Sequence, residues 1–300
     1  MYKKMRIWVL FIILLSLCRI GEAGAWRDIV EYYLTIPVSV ALENNQTATG
    51  FYIVIDKVVF FVTARHAFLV EAKDNTFNLA SNTAVLKSSN FGTDSDAEKI
   101  IALDLSKLYN NGCIIYNKLF DIAVIKIADF IDETEFKGVE GVVIKQTPGP
   151  FNLTTLDYIK KYEETLIGNE VFVFGYPTTL GIQEVPQIDF SKPLVRKGII
   201  AGKNEKTRTI ILDCPVDFGN SGSPVLECKP VYEGSNLIKE CWLIGIVTKF
   251  VPFVEETVNM RYKYSNYTLN NSGYSVITPI DIVLEMVRQN KIVKIEKAVK

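Results

Sequence analysis

Gly219-Asn220-Ser221-Gly222-Ser223-Pro224 sets a serine between two glycines. Glycine reaches backbone angles that other residues avoid, so this stretch can turn sharply and bare amide N–H groups beside the serine hydroxyl. The same 300-residue chain holds a single histidine, His66, in Val62-Thr63-Ala64-Arg65-His66-Ala67. An aspartate, Asp121, opens the apolar run Asp121-Ile122-Ala123-Val124-Ile125-Lys126-Ile127. A serine hydroxyl becomes nucleophilic when a neighbouring base takes its proton and an acid orients that base. Read this way, Ser221 is the nucleophile, His66 the base and Asp121 the orienting acid. The amides of Gly219 and Ser221 are then the donors for a developing oxyanion. Singly, each has a plainer reading: a glycine turn, a lone structural histidine, a strand-edge aspartate facing solvent. Together, in the order His66, Asp121, Ser221, each beside its own apolar run, they favour the chemical reading.

Outward from these residues the periodicity is that of β-structure. Short runs rich in Val, Ile, Phe and Tyr recur between turn residues at Phe51–Ile55, Val58–Val62, Ile122–Ile127, Val171–Phe174, Thr209–Leu212, Leu243–Val247 and Tyr274–Ile277. This is the pattern of an all-β barrel or sandwich. Residues 94–108 read as a helical excursion between strands. A second helix is expected over about 279–290, with Thr278 as N-cap, Pro279 in the first helical position and Asp281 at the positive helix end. Residues 144–164, with Pro148, Gly149 and Pro150, are the expected connection between two lobes.

Composition bounds the function. An apolar fraction of 48% is ample for a core, and 22% charged residues with a net charge of −1 give no electrostatic footprint for nucleic acid. One histidine and no Cys-x-x-Cys spacing point to no metal site, and acyl transfer at a serine needs no cofactor. Lys3, Lys4 and Arg6 precede an apolar run from Ile7 to Cys18, and Ala23-Gly24-Ala25 then offers small residues before Trp26. That is the layout of a secretory signal. Residues 1–25 are expected to be removed, 26–300 to form the mature domain, and the protein to be secreted or periplasmic. The apolar run is short against the roughly 20 residues of a membrane span, so membrane attachment is expected only if the signal stays uncleaved. Cleavage leaves Cys113, Cys214, Cys228 and Cys241, which allow three full pairings. Cys228 and Cys241 flank the turn-like Glu233-Gly234-Ser235-Asn236, where a hairpin would bring them face to face as a disulfide; buried thiols are the alternative.

At this point the chain resembles the trypsin-like serine peptidases, and most of all the bacterial branch with the glutamyl endopeptidases and HtrA-type proteases. The resemblance rests on Gly50-Phe51 before Thr63-Ala64-Arg65-His66, on Asp121-Ile122-Ala123-Val124, Phe174-Gly175-Tyr176-Pro177 and Gly198-Ile199-Ile200, on Gly219 to Val225, and on Gly245-Ile246-Val247-Thr248. It implies two antiparallel six-stranded β-barrels, at about 35–145 and 165–278, with a C-terminal α-helix and the site in the cleft between them. It also implies that Gly245, Ile246, Val247 and Thr248 form an edge strand that pairs with an extended protein or peptide substrate. Three departures matter. Asn220 stands where the digestive proteases carry an aspartate that receives a new N-terminal amine. With no second histidine, the histidine-lined pocket of glutamyl endopeptidases is missing. Too few residues follow the helix for a PDZ-type domain. Asp213 and Asp217, just before Ser221, either favour basic substrate side chains or are solvated loop acids. The expectation is a serine endopeptidase; the rival from another class is a catalytically silent trypsin-like module that binds proteins through the same cleft.

Overall fold

The computed structural model describes residues 33–88, 99–131, 136–145, 153–178, 185–233 and 236–298. The expected signal at residues 1–25 lies outside them. In chain order the strands are β1 (Pro37–Leu42), β2 (Thr47–Ile55), β3 (Val58–Ala64), β4 (Leu69–Glu71), β5 (Phe77–Leu79), β6 (Thr83–Ser88), β7 (Lys99–Asp104), β8 (Ile114–Tyr116), β9 (Ile122–Phe130), β10 (Phe136–Gly138), β11 (Val142–Ile144), β12 (Leu153–Thr154), β13 (Glu170–Gly175), β14 (Leu194–Asn204), β15 (Thr209–Asp213), β16 (Pro224–Glu233), β17 (Asn236–Asn259) and β18 (Tyr264–Pro279).

The first sheet runs β10-β9-β3-β2-β1-β6-β7-β11, with β8 added to β9 and β12 to β2. Its two end strands, β10 and β11, are joined by the turn at 139–141 and touch, so the sheet curls back on itself. Of its ten strands, more than the expected six, β2, β3 and β9 cover the apolar runs read from the sequence, and β8, β10, β11 and β12 are only two or three residues long. The second half is a closed barrel, β13-β14-β15-β18-β17-β16. The two-barrel all-β architecture with a C-terminal helix therefore forms.

Period-two side-chain geometry explains why the central strands read as continuous apolar runs instead of alternating ones. Along β2 and β3, Tyr52, Val59 and Phe61 point into the first barrel with Val38, Leu86 and Leu103. Their neighbours Phe51, Ile53, Phe60 and Val62 face the other way, against Phe174, Leu226 and Leu243 of the second barrel and Ile280, Val283 and Val287 of the C-terminal helix Ile280–Ala298. Both faces of these strands are buried, so both carry apolar residues. The second barrel has its own interior of Val171, Val173, Ile200, Ile210, Leu212, Val225, Ile244, Val247 and Ile277.

The helix expected over 94–108 does not form as such. Residues 99–104 are β7, paired with β6 and β11, and only Leu105–Asn110 is helical; residues 94–98 lie outside the described residues. Ile101 and Leu103 are buried at period two, and the sheet partners on both sides override the local helical preference. Asp104 then caps the short helix by accepting from the Lys107 N–H at 2.9 Å.

The described part of the connection to the second barrel, residues 153–164, is anchored. β12 pairs in parallel with β2, Ile159 bridges Leu243, and the Lys160 N–H donates to the Leu243 carbonyl at 3.0 Å. The Lys160 ammonium and the Asn169 amide meet the carboxylate of Glu227, which is wholly buried. Cys228 and Cys241 are partners in the β16–β17 register and form a disulfide. Cys113 and Cys214 are free thiols, and burial pushes the Cys214 thiol up to about 11.

Removing one partner of a buried ion pair leaves an uncompensated charge, which costs about 3–5 kcal/mol. Lys160→Met is therefore expected to lower unfolding free energy by about that amount in urea. The double variant Lys160→Met/Glu227→Gln should recover much of the loss, because the stranded charge is then gone. Equal stability of wild type and Lys160→Met would contradict this role for the pair.

Candidate active site

Three separate pieces of chain deliver the site. His66 sits in the single 3-10 turn Arg65–Ala67 at the end of β3. Asp121 is the residue immediately before β9, the strand paired to β3. Ser221 lies in the loop before β16, whose backbone is shaped by Gly219 at φ 89° and Gly222 at φ 86°. At both glycines a side chain has no room: a Cβ on Gly219 would fall 2.3 Å from the Tyr176 carbonyl oxygen, and one on Gly222 2.0 Å from that of Thr49.

The three side chains form one chain of hydrogen bonds. His66 Nδ1 lies 2.5 Å from Asp121 Oδ2, and His66 Nε2 lies 2.8 Å from Ser221 Oγ. The other Asp121 oxygen accepts the His66 backbone N–H at 3.1 Å. Arg65 braces the acid: its N–H donates to the Asp121 carbonyl at 3.1 Å, and its Nε stands 3.8 Å from Oδ1. The guanidinium itself is held by the Asn117 and Lys118 carbonyls and covers the Phe77 ring. Burial alone would push the Asp121 carboxyl up. The hydrogen bonds and charge of His66 and the nearby Arg65 outweigh that and hold it below its ordinary range.

The loop carrying Ser221 is moored to the first barrel through Thr49, a residue the sequence did not single out, although it directly precedes the Gly50-Phe51 pair. The Thr49 N–H donates to the Ser221 carbonyl at 2.9 Å. Its hydroxyl donates to the Gly219 carbonyl at 2.7 Å and accepts the Tyr176 N–H at 3.0 Å. The Phe218 carbonyl accepts from the Thr178 N–H at 2.8 Å, which fixes the trans 218–219 peptide so that its Gly219 N–H faces the opposite way. Among the described residues, neither the Gly219 nor the Ser221 N–H has a protein acceptor. Asn220 is buried under the loop, where its backbone closes turns with Asp217 and Ser223.

A cleft passes on either side of Ser221 and His66. One lobe, of about 330 Å³, is walled by Val216, Phe218, Val247, Thr248, Lys249 and Phe250; the other, of about 320 Å³, by residues 45–48 and Thr178. Asp217 borders the first lobe, but its carboxylate is taken by Arg196. Asp213 lies in β15, paired on both sides by Ile199 and Tyr274. Asp217 is therefore not a free acid waiting for a basic side chain, and Asp213 is exposed on β15 and walls neither lobe. Among the described residues no group of His, Cys, Asp or Glu is arranged to hold a metal.

One expectation is corrected. Gly245 and Ile246 are not on an edge: they pair with Val225 and Pro224 on one side and with Pro279 and Thr278 on the other. Val247 is held on the β16 side by the Gly222 N–H and the Ser223 carbonyl. β16 turns away there to become the Ser221 loop, so the open edge of β17 begins at Thr248.

The chain matches the trypsin-like peptidase domain family over residues 48–229, a span that includes all three side chains, and it belongs to that family. Distantly similar solved structures include Deg5 (15% identity over 88% of this chain and 92% of that one, TM-score 0.47). Others are the HtrA-type protease AlgW with a tripeptide (14%, 86% of this chain and 62% of that one, TM-score 0.44) and human heparin binding protein (10%, 86% and 92%, TM-score 0.49). No curated protein sequence matches the chain.

Asp121 makes stability pH-dependent with a fixed sign. Its folded pKa is depressed, so its contribution is fully present above the ordinary carboxylate value of about 3.9 and is lost as the pH falls through the lower folded value. Wild type should lose more stability than Asp121→Asn between about pH 5 and about pH 2. Parallel curves throughout would show that the carboxylate gains nothing from His66 and Arg65.

Proposed function

We propose that this trypsin-like peptidase domain is a serine endopeptidase that hydrolyses peptide bonds through an acyl-enzyme. The observation that carries the reading is the unbroken hydrogen-bond chain from Asp121 Oδ2 through both ring nitrogens of His66 to Ser221 Oγ. With Asp121 accepting a hydrogen bond from Nδ1–H, Nε2 is left with its lone pair toward Ser221. As Oγ attacks the carbonyl carbon, its proton passes to Nε2, and the imidazolium that forms is stabilised by the ionised Asp121. The proton then goes to the leaving amine. Water repeats the sequence on the ester and returns Ser221 to its starting state.

Charge developing on the carbonyl oxygen needs donors already in place, because each is worth about 2.7–4 kcal/mol in the barrier. The unpaired N–H groups of Gly219 and Ser221 fit that need. Thr49 and Thr178 hold the loop in that form before any substrate arrives. In the family's digestive members the loop is completed by a charged amine. The buried, neutral Asn220 removes that requirement, since an aspartate at this buried position would demand a counter-charge. The reading extends to location: the N-terminal signal pattern and the Cys228–Cys241 disulfide both fit an oxidising compartment, secreted or periplasmic.

A fluorophosphonate probe is expected to label Ser221 alone. His66→Ala should abolish labelling, because the proton acceptor is gone. Asp121→Asn should slow turnover about 10⁴-fold, the loss known for this change in the Ser-His-Asp template. Circular dichroism of the three proteins must agree before rates are compared. A folded, oxidised wild type that resists the probe would support the silent binding module instead. N-terminal sequencing of exported protein should find a start at or near Trp26 with activity already present; activity that appears only after a later cut within 28–36 would contradict the role given to Asn220.

A further inference from the structure

Past the cleft, β17 and β18 leave the barrel and continue as a two-stranded ribbon. Paired residues run from Pro252 opposite Asn271 to Asn259 opposite Tyr264. Regular alternation gives the ribbon two unlike faces. Val254 with Leu269, Glu256 with Tyr267 and Val258 with Ser265 lie on one face. Glu255, Thr257, Asn266, Thr268 and Asn270 make the other face mostly polar, with Phe253 and Tyr264 at its two ends, and Asn270 donates to Glu255 at 3.3 Å. The apolar side chains are not covered: Val254 is 54% exposed, Val258 51%, Tyr267 67% and Leu269 65%. A bare two-stranded hairpin is marginal in water, and an uncovered apolar face signals a binding surface.

The occupant is indicated by continuity. Among the described residues, the edge of β17 from Thr248 to Asn259 has no strand on its outer side. That edge spans about 40 Å at the usual strand rise, with irregularities after Val247 and Phe250 and with Pro252 offering no N–H, and its first residues, Thr248, Lys249 and Phe250, wall the cleft beside Ser221. A chain that enters the cleft and pairs with Thr248 is already on the rail that leads up the ribbon.

We propose that the ribbon is an extended substrate-recognition strand. An unfolded, alternately apolar polypeptide pairs antiparallel with the open edge of β17, places its apolar side chains beside Val254, Val258, Tyr267 and Leu269, and delivers the bond that follows it to Ser221. The preferred substrate is thus a long extended segment rich in β-branched residues on the acyl side of the cut. This rests on the peptidase reading above, and main-chain pairing with side-chain contacts on alternate residues is the general form of strand addition.

The test uses the full exported protein and fluorogenic peptides that share one cleaved bond. The acyl side is extended by none, four or eight alternating Val/Thr residues; a parallel series carries N-methyl groups on alternate residues, which remove the pairing donors. The longest plain peptide is expected to have kcat/KM at least about tenfold above the shortest, a difference of 1.4 kcal/mol, and the N-methyl series should show no gain. The same residues added on the leaving side should give none either. The variant Val254→Glu/Leu269→Glu, or a ribbon cut back to a turn between Pro252 and Asn271, should lose the gain while Ser221 still takes the fluorophosphonate. Equal kcat/KM across the plain series in labelled protein overturns the ribbon proposal alone. Ribbon variants that change only the sedimentation of the protein, with the length effect intact, would overturn it in favour of a second copy on this face. Absence of labelling in wild type would instead overturn the peptidase reading.

Discussion

Thr49 is the point on which the two halves of the molecule agree. It is wholly buried, and its N–H, carbonyl and hydroxyl are all engaged: with Ser221 and Gly219 of the second barrel, with Tyr176, and with the Thr63 hydroxyl on β3, which donates to its carbonyl at 2.7 Å. β2 and β3 pair at Gly50 and Thr63, and β3 ends at the turn bearing His66. The distance from Ser221 Oγ to His66 Nε2 is therefore fixed through a short, buried path of hydrogen bonds and not by the packing of two distant bodies. Gly222 belongs to the same constraint, because the approach of this loop to the first barrel leaves no space for a Cβ.

Electrostatics follow from the same junction. A carboxylate placed at the mouth of an apolar strand must be compensated. Asp121 is compensated by exactly the groups that the chain places around β3: the His66 ring, its N–H and Arg65. Arg65 Nη1 in turn donates to carbonyls of the 117–118 turn, and the guanidinium covers the Phe77 ring. The base is thereby oriented by an acid that stays ionised, while its ring remains half exposed toward the cleft, where a substrate can reach it.

The legible parts of this structure were those in which local pattern and tertiary demand coincide. The apolar runs beside His66 and Asp121 and the glycines around Ser221 reflect burial on both strand faces and left-handed backbone, and both leave marks in sequence. The Cys228–Cys241 pairing was suggested by spacing and formed by register. The misread parts have physical reasons. Residues 99–104 have helical composition, but their partners β6 and β11 are remote in sequence. Gly245 and Ile246 carry the motif, yet the edge opens only where β16 turns away. The ribbon went unread because its reversal uses no Asn-Gly signal: Lys263 takes the left-handed backbone there, at φ 53°. Thr49 gave no signal beyond its place before Gly50-Phe51, since its partners lie far along the chain.

The central claim is that Asp121 fixes His66 as the tautomer that can take the Ser221 proton, and the chain's single histidine makes it directly observable. Nitrogen-15 and proton NMR of protein labelled in histidine reports which ring nitrogen is protonated, with no assignment ambiguity. The account predicts a proton fixed on Nδ1, strongly shifted to low field, with Nε2 unprotonated once the ring is neutral, and loss of that signal in Asp121→Asn. A neutral ring protonated on Nε2, or one that averages both tautomers, would contradict it.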